Sequence, residues 1–192
     1  VKVSNNTAAQ TFTFKTAAAA GTADSLTLNL DGAGAVVNIG SEADADGDIE
    51  TMVVNNSGGA SDLGAGAGFG ADATSITVTA TAALDMGSGD QFAKVTTFDG
   101  SASTAALTVH FADRAAASET AVSWTTGSGA DTIDIDAVTL ANFGDIVMDL
   151  GAGADTLTVG SKQDTDTGSQ FTGGDGVDTL HVGATSMTSA LF

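Results

Sequence analysis

Seven short segments of alternating apolar and polar residues recur along this chain at nearly constant spacing. They cover residues 25–30, 51–54, 75–79, 106–110, 132–135, 156–159 and 179–182. Aligned on the first inward-looking apolar residue, they read Leu26, Met52, Ile76, Leu107, Ile133, Leu157 and Leu180, with steps of 26, 24, 31, 26, 24 and 23 residues by difference of numbering. A second apolar residue follows two positions later each time: Leu28, Val54, Val78, Val109, Ile135, Val159 and Val182. Period 2 is the signature of a strand with one face buried and one face wet. A strand repeated at this interval is the mark of a solenoid. Weaker strands at 36–39, 84–86, 122–124 and 145–150 fall between the main ones, so each coil holds two or three strands joined by Gly- or Asp-containing turns. The expected fold is all-β, a parallel β-solenoid of about seven irregular coils, forming a single domain over residues 1–192. Outward residues should stack in register as Thr132, Thr156 and Thr179, then as Asp134, Thr158 and His181. The long step from Ile76 to Leu107 implies an inserted loop or an extra strand. Single helical turns are possible at 113–119 and 138–143, each too short for an independent helix. The competing architecture is a β-sandwich, which also uses short strands at close spacing. It gives no reason for a Gly-rich motif to recur at coil spacing, and its turns usually use Pro, which is absent here.

Composition narrows the function. The 192 residues carry 5 Lys+Arg against 24 Asp+Glu, a formal charge of −19. Phosphate contacts need a basic surface, so nucleic-acid binding is excluded, as is a polybasic membrane tether. No apolar run approaches the ~18–20 residues of a spanning helix, so membrane insertion is not expected. With no Cys, disulfides and thiolate-bound metals are impossible. A 42% apolar fraction gathered into Val/Ile/Leu patches argues against disorder. Asp far outnumbers Glu, which occurs only at Glu42, Glu50 and Glu119. Asp favours turns and Glu favours helices, and so large an acidic excess suits a hard cation held by carboxylates. The chain begins at Val1 with no signal-like segment, and we expect it to be a fragment of a longer secreted protein.

Three segments share one Gly-rich pattern: Gly127-Ser128-Gly129-Ala130-Asp131, Gly151-Ala152-Gly153-Ala154-Asp155 and Gly174-Asp175-Gly176-Val177-Asp178, each followed by Thr and a large aliphatic residue. Glycines permit sharp turns with positive φ and can point carbonyl oxygens inward. The Asp adds a carboxylate, and the aliphatic residue returns the chain to the core. Calcium takes about 6–8 oxygens. One turn offers too few, while two turns stacked at the ~4.8 Å coil spacing could supply enough. The expected metal ligands are therefore Gly127, Gly129, Asp131, Gly151, Gly153, Asp155, Gly174, Gly176 and Asp178, with Ca2+ between coils and Asp155 serving two ions. The alternative is that these aspartates only bond their own turns.

The pattern resembles the calcium-binding nonapeptide of the RTX (repeats-in-toxin) family, G-G-x-G-x-D-x-U-x. The copy at 173–180 matches in full, while Thr126 and Leu150 replace the leading Gly of the other two. The motifs lie within 126–182, one per coil, whereas RTX arrays run them back to back. Residues 21–26, 31–34 and 87–90 look like eroded copies. Sparse RTX motifs in a Thr/Ala/Gly-rich, Cys-free chain resemble the lattice regions of RTX-type bacterial surface-layer (S-layer) proteins. The strand entry Ile49-Glu50-Thr51 is similar to one common in such chains. The resemblance implies a structural, non-enzymatic, calcium-dependent module, secreted to the bacterial cell surface and self-assembling as a homo-oligomeric two-dimensional lattice. Contact with cell-surface polysaccharide would be made by another part of the parent. The alternatives are a β-solenoid segment of a secreted RTX-type adhesin and, more remotely, a parallel β-helix polysaccharide lyase or epimerase. The latter needs paired carboxylates with a cationic or imidazole partner, and cationic residues are few here.

Weaker candidates are the acidic stretches 44–48 and 164–168. The first has an EF-hand-like alternation of carboxylates, with its Gly at the wrong position and Asn55 where a bidentate Glu is needed. His110 and His181 read as solvated histidines on outward strand positions. Trp124 and the nine Phe read as core or coil-end fillers.

Overall fold

The computed structural model describes residues 2–4, 10–14, 23–32, 37–41, 49–63, 73–87, 92–113, 120–139, 142–160 and 168–183. The acidic stretch 44–48, most of 164–168, the turn at 114–119, residues 140–141 and most of the eroded motifs at 21–22, 33–34 and 88–90 lie outside the described residues.

Every regular element among the described residues is a strand. One face of the molecule is an eight-stranded sheet. It stacks β1 (Lys2–Ser4), β3 (Ser25–Asp31), β5 (Thr51–Ser57), β7 (Ser75–Ala80), β9 (Thr97–Asp99), β11 (Val122–Thr125), β13 (Ile146–Asp149) and β16 (Gln170–Thr172). The other face is six-stranded: β6 (Ser61–Asp62), β8 (Leu84–Asp85), β10 (Leu107–His110), β12 (Thr132–Ile135), β15 (Thr156–Val159) and β18 (Thr179–Val182). Two smaller pairs complete the coils, β2 (Gln10–Phe14) with β4 (Val37–Ser41), and β14 (Ala152–Gly153) with β17 (Asp175–Gly176). Every pairing is parallel, which a sandwich of hairpins cannot give. The chain is a parallel β-solenoid. The coil count differs slightly from the seven expected.

The course of the ladder differs from the expectation as well. The sequence ladder joined two faces into one. Leu26, Met52 and Ile76 continue on the first face to Phe98, Trp124 and Met148. Leu107, Ile133, Leu157 and Leu180 belong to the second face. The 31-residue step from Ile76 to Leu107 is thus one ordinary coil to Phe98, 22 residues on by numbering, and then a crossing to the opposite face. It is not an inserted loop.

The core lies between the two faces. Leu28, Val54 and Val78 stack inward from the first, and Val109, Ile133 and Leu157 from the second, all buried. The middle coils are filled by aromatic residues. Phe111 stacks on Trp124 with ring centroids 4.0 Å apart and an interplanar angle of 6°. Phe98 meets Phe111 edge-on at 5.7 Å, and Phe143 meets Trp124 edge-on at 5.9 Å. These residues are core, as expected. The outward rows also fall as expected, with Thr132, Thr156 and Thr179 in one register and Asp134, Thr158 and His181 in the next.

The corners explain the excess of Asp over Glu. Asp85, Asp99, Asp134 and Asp149 each accept a hydrogen bond from the backbone N–H two residues ahead, on Gly87, Ser101, Asp136 and Gly151. This Asx geometry needs a short side chain.

Candidate functional site: the glycine turns and the aspartate column

The three Gly-rich turns lie at one corner of the solenoid, each just ahead of a strand of the second face. Gly151 (φ +85°) and Gly153 (φ +148°) are matched by Gly174 (φ +90°) and Gly176 (φ +146°), so the two turns share one left-handed backbone path. Gly127 and Gly129 have another reason to be glycine. A Cβ there would strike the backbone of Ser103 and Ala105 in the preceding coil. The turn carbonyls run along the solenoid axis. Gly127 O accepts from Ala152 N–H and Gly151 O from Asp175 N–H, both at 2.9 Å.

The three aspartates form a column, one per coil. Asp131 Oδ1 accepts from Leu107 N–H at 2.7 Å, Asp155 Oδ1 from Asp131 N–H at 2.7 Å, and Asp178 Oδ1 from Asp155 N–H at 3.1 Å. The strand register aligns Thr132 with Thr108, Thr156 with Thr132 and Thr179 with Thr156. Each carboxylate therefore bonds the residue aligned with its own position one coil earlier. Asp131 and Asp155 are buried and Asp178 is exposed. Asp131 Oδ2 also accepts from Gly127 N–H at 3.2 Å, while Asp155 Oδ2 is buried without a partner.

Burial pushes the carboxyls of Asp131 and Asp155 above the usual carboxylate range. For Asp131 the N–H of Leu107 opposes the shift and the Asp155 charge adds to it. For Asp155 the N–H of Asp131 opposes it and Asp178 adds to it. A short stack of like charges in a dry corner favours neutral carboxyls or a counter-cation.

The side-chain oxygens alone fall short of a calcium centre. Gly127 and Gly151 use their carbonyls in the coil-to-coil ladder, each Asp uses Oδ1 on a backbone N–H, and Asp155 Oδ2 is the one unpartnered buried oxygen in the column. Among the described residues no three carboxylate or imidazole side chains converge to hold a metal. That is far from the 6–8 oxygens that calcium takes. The structure brings the motif aspartates together on one edge, and it gives their oxygens to the backbone. The bonds also cross between coils; among the three, Asp131 alone bonds its own turn as well.

Two residues outside the Gly-rich motif make the same contact. Glu50 Oε2 accepts from Asp24 N–H at 2.7 Å, and Ser169 Oγ from Ile146 N–H at 3.1 Å. Both are on the first face, and both bond the residue aligned one coil earlier. The shared sequence signal is an acceptor side chain, then a polar residue, then a large apolar one: Asp131-Thr132-Ile133, Asp155-Thr156-Leu157, Asp178-Thr179-Leu180, Glu50-Thr51-Met52 and Ser169-Gln170-Phe171. The glycines drew attention away from this triplet.

On the outer surface, His110 Nδ1 lies 3.5 Å from Asp134 Oδ2. The pair is half-exposed and has no third ligand-type residue beside it. No family model matches this chain, and neither does any curated protein or solved structure.

Proposed function

We propose that this solenoid is a structural, non-enzymatic module of a calcium-dependent surface layer of the S-layer type, secreted to the bacterial cell surface and associating with copies of itself. The observation that carries this reading is the regularity of the outer faces. On the first face, Ser25, Thr51, Ser75, Thr97 and Ser123 stand in one register across five coils. Beside them run Thr77, Asp99, Thr125, Asp149 and Thr172. Flat rows of short hydroxyl and carboxylate side chains suit repeated side-by-side packing. Among the described residues these two rows hold no cationic side chain of the kind sugar-acid chemistry needs. At −19, copies repel one another. In this reading calcium acts between copies, screening the outward carboxylates, and the buried corner takes no part in binding it.

Electron microscopy of the purified protein in chelator and in millimolar calcium tests the proposal. Ordered sheets with calcium and dispersed particles without it support the reading. A monomer under both conditions that binds a glycan points to the adhesin, and turnover of a uronate polymer points to the lyase or epimerase.

A further inference from the structure

We infer that the carboxylates of Glu50, Asp131, Asp155 and Asp178 are backbone acceptors that close each coil onto the one before it, a role that needs no metal. The inference goes beyond the lattice reading and does not depend on it. In a parallel ladder, one residue gives both its N–H and its C=O to the same neighbouring strand. At the strand entries here, half of that exchange is intact. Asp24 O accepts from Thr51 N–H at 3.0 Å, Asp131 O from Thr156 N–H at 2.8 Å, and Asp155 O from Thr179 N–H at 2.7 Å. The other half would require a carbonyl from the residue preceding the acid in the next coil. The chain is still in its corner there, so the N–H has lost its regular partner. The side chain one position later supplies the oxygen.

A buried N–H without an acceptor is costly, which gives the acid its purpose in each copy. The contact recurs at both faces, with and without the G-x-G-x-D motif, and with Glu, Asp or Ser as the acceptor. A metal site would demand the glycines and an acid every time. A backbone acceptor demands only an oxygen at the right reach.

Hydrogen exchange and thermal melts of the whole chain, in chelator and in calcium, test the inference. Asp155→Ala removes the acceptor for Asp131 N–H. That amide should exchange at least tenfold faster, while Thr156 N–H, bonded to Asp131 O, stays protected. The melting temperature should fall by several degrees in chelator and by the same amount in calcium. Glu50→Ala, outside the G-x-G-x-D motifs, should behave alike at Asp24 N–H and guards against an Asp155→Ala chain that does not fold. Asp178→Asn keeps an oxygen for Asp155 N–H on an exposed side chain and should melt close to the parent. Unchanged exchange at Asp131 and Asp24, or destabilisation by Asp155→Ala that appears only with calcium, overturns the inference.

Discussion

The Asp155 carboxylate accepts a 2.7 Å hydrogen bond from the backbone N–H of Asp131, the residue that occupies its own position one coil earlier. Asp131 in turn reaches back to Leu107. The column therefore has a direction, each coil closing the one made before it, and its members differ in ways that substitution can expose.

Asparagine separates two of them. Asp131 uses both oxygens on N–H donors, Leu107 through Oδ1 and Gly127 through Oδ2. An amide at this site must turn its NH2 toward one of those donors. Asp131→Asn should cost about 1–3 kcal/mol, the penalty for a buried polar group left unpaired. Asp178 uses one oxygen on Asp155 N–H and faces solvent, so Asp178→Asn should be within about 0.5 kcal/mol of the parent. Chemical denaturation of the two variants checks the ordering.

The pH dependence follows from burial. The folded-state carboxyls of Asp131 and Asp155 lie above the ordinary value of 3.8. Between that value and their folded values, the folded chain holds more protons than the unfolded one. Their contribution to stability is full below 3.8 and is lost as pH rises through the folded values. Repulsion among the remaining acids acts in the same direction. Melts at constant ionic strength should give a melting temperature that falls as pH is raised above 3.8, and the fall should shrink in Asp155→Asn.

The aromatic stack joins Phe98, Phe111, Trp124 and Phe143 in the core. Removing Phe111 takes away the ring lying parallel to Trp124 and the edge contact with Phe98. Phe111→Ala should cost about 3–5 kcal/mol. Trp124 is the sole Trp, so its fluorescence reports the loss directly, shifting red in the native state as water gains access.

Asn56 ties a corner together. Its amide donates to the carbonyls of Ala82 and Ala83 at 2.8 and 2.9 Å, and its Oδ1 accepts from Ser61 at 2.7 Å. Asn56→Ala leaves three polar groups without this partner and should cost roughly 2–4 kcal/mol, with a lower denaturation midpoint at unchanged m-value.

Much of the architecture could be read from spacing. Period-2 alternation at coil intervals placed most of the long strands, and the rows Thr132, Thr156, Thr179 and Asp134, Thr158, His181 were found in the expected register. The strand missing from the expected set is β9, where Thr97-Phe98-Asp99 presents a single inward residue. One inward residue carries no periodicity, so the ladder passed from one face to the other unseen. The site was half legible. The glycines and aspartates do share an edge, as their spacing required. What a sequence does not display is the direction of a carbonyl or the choice a carboxylate makes between an ion and an N–H. In this fold the neighbouring coil offers the carboxylates N–H donors at Leu107 and Asp131 that the corner has left without a carbonyl.

In the proposed function, backbone hydrogen bonds hold the Gly-rich corner and calcium acts between molecules. Calorimetric titration of calcium into dilute, monomeric protein tests it most directly. The account predicts weak heats that do not saturate at a fixed stoichiometry and that are the same for the parent and Asp155→Ala. Tight, stoichiometric binding to the monomer that disappears in Asp155→Ala would contradict it.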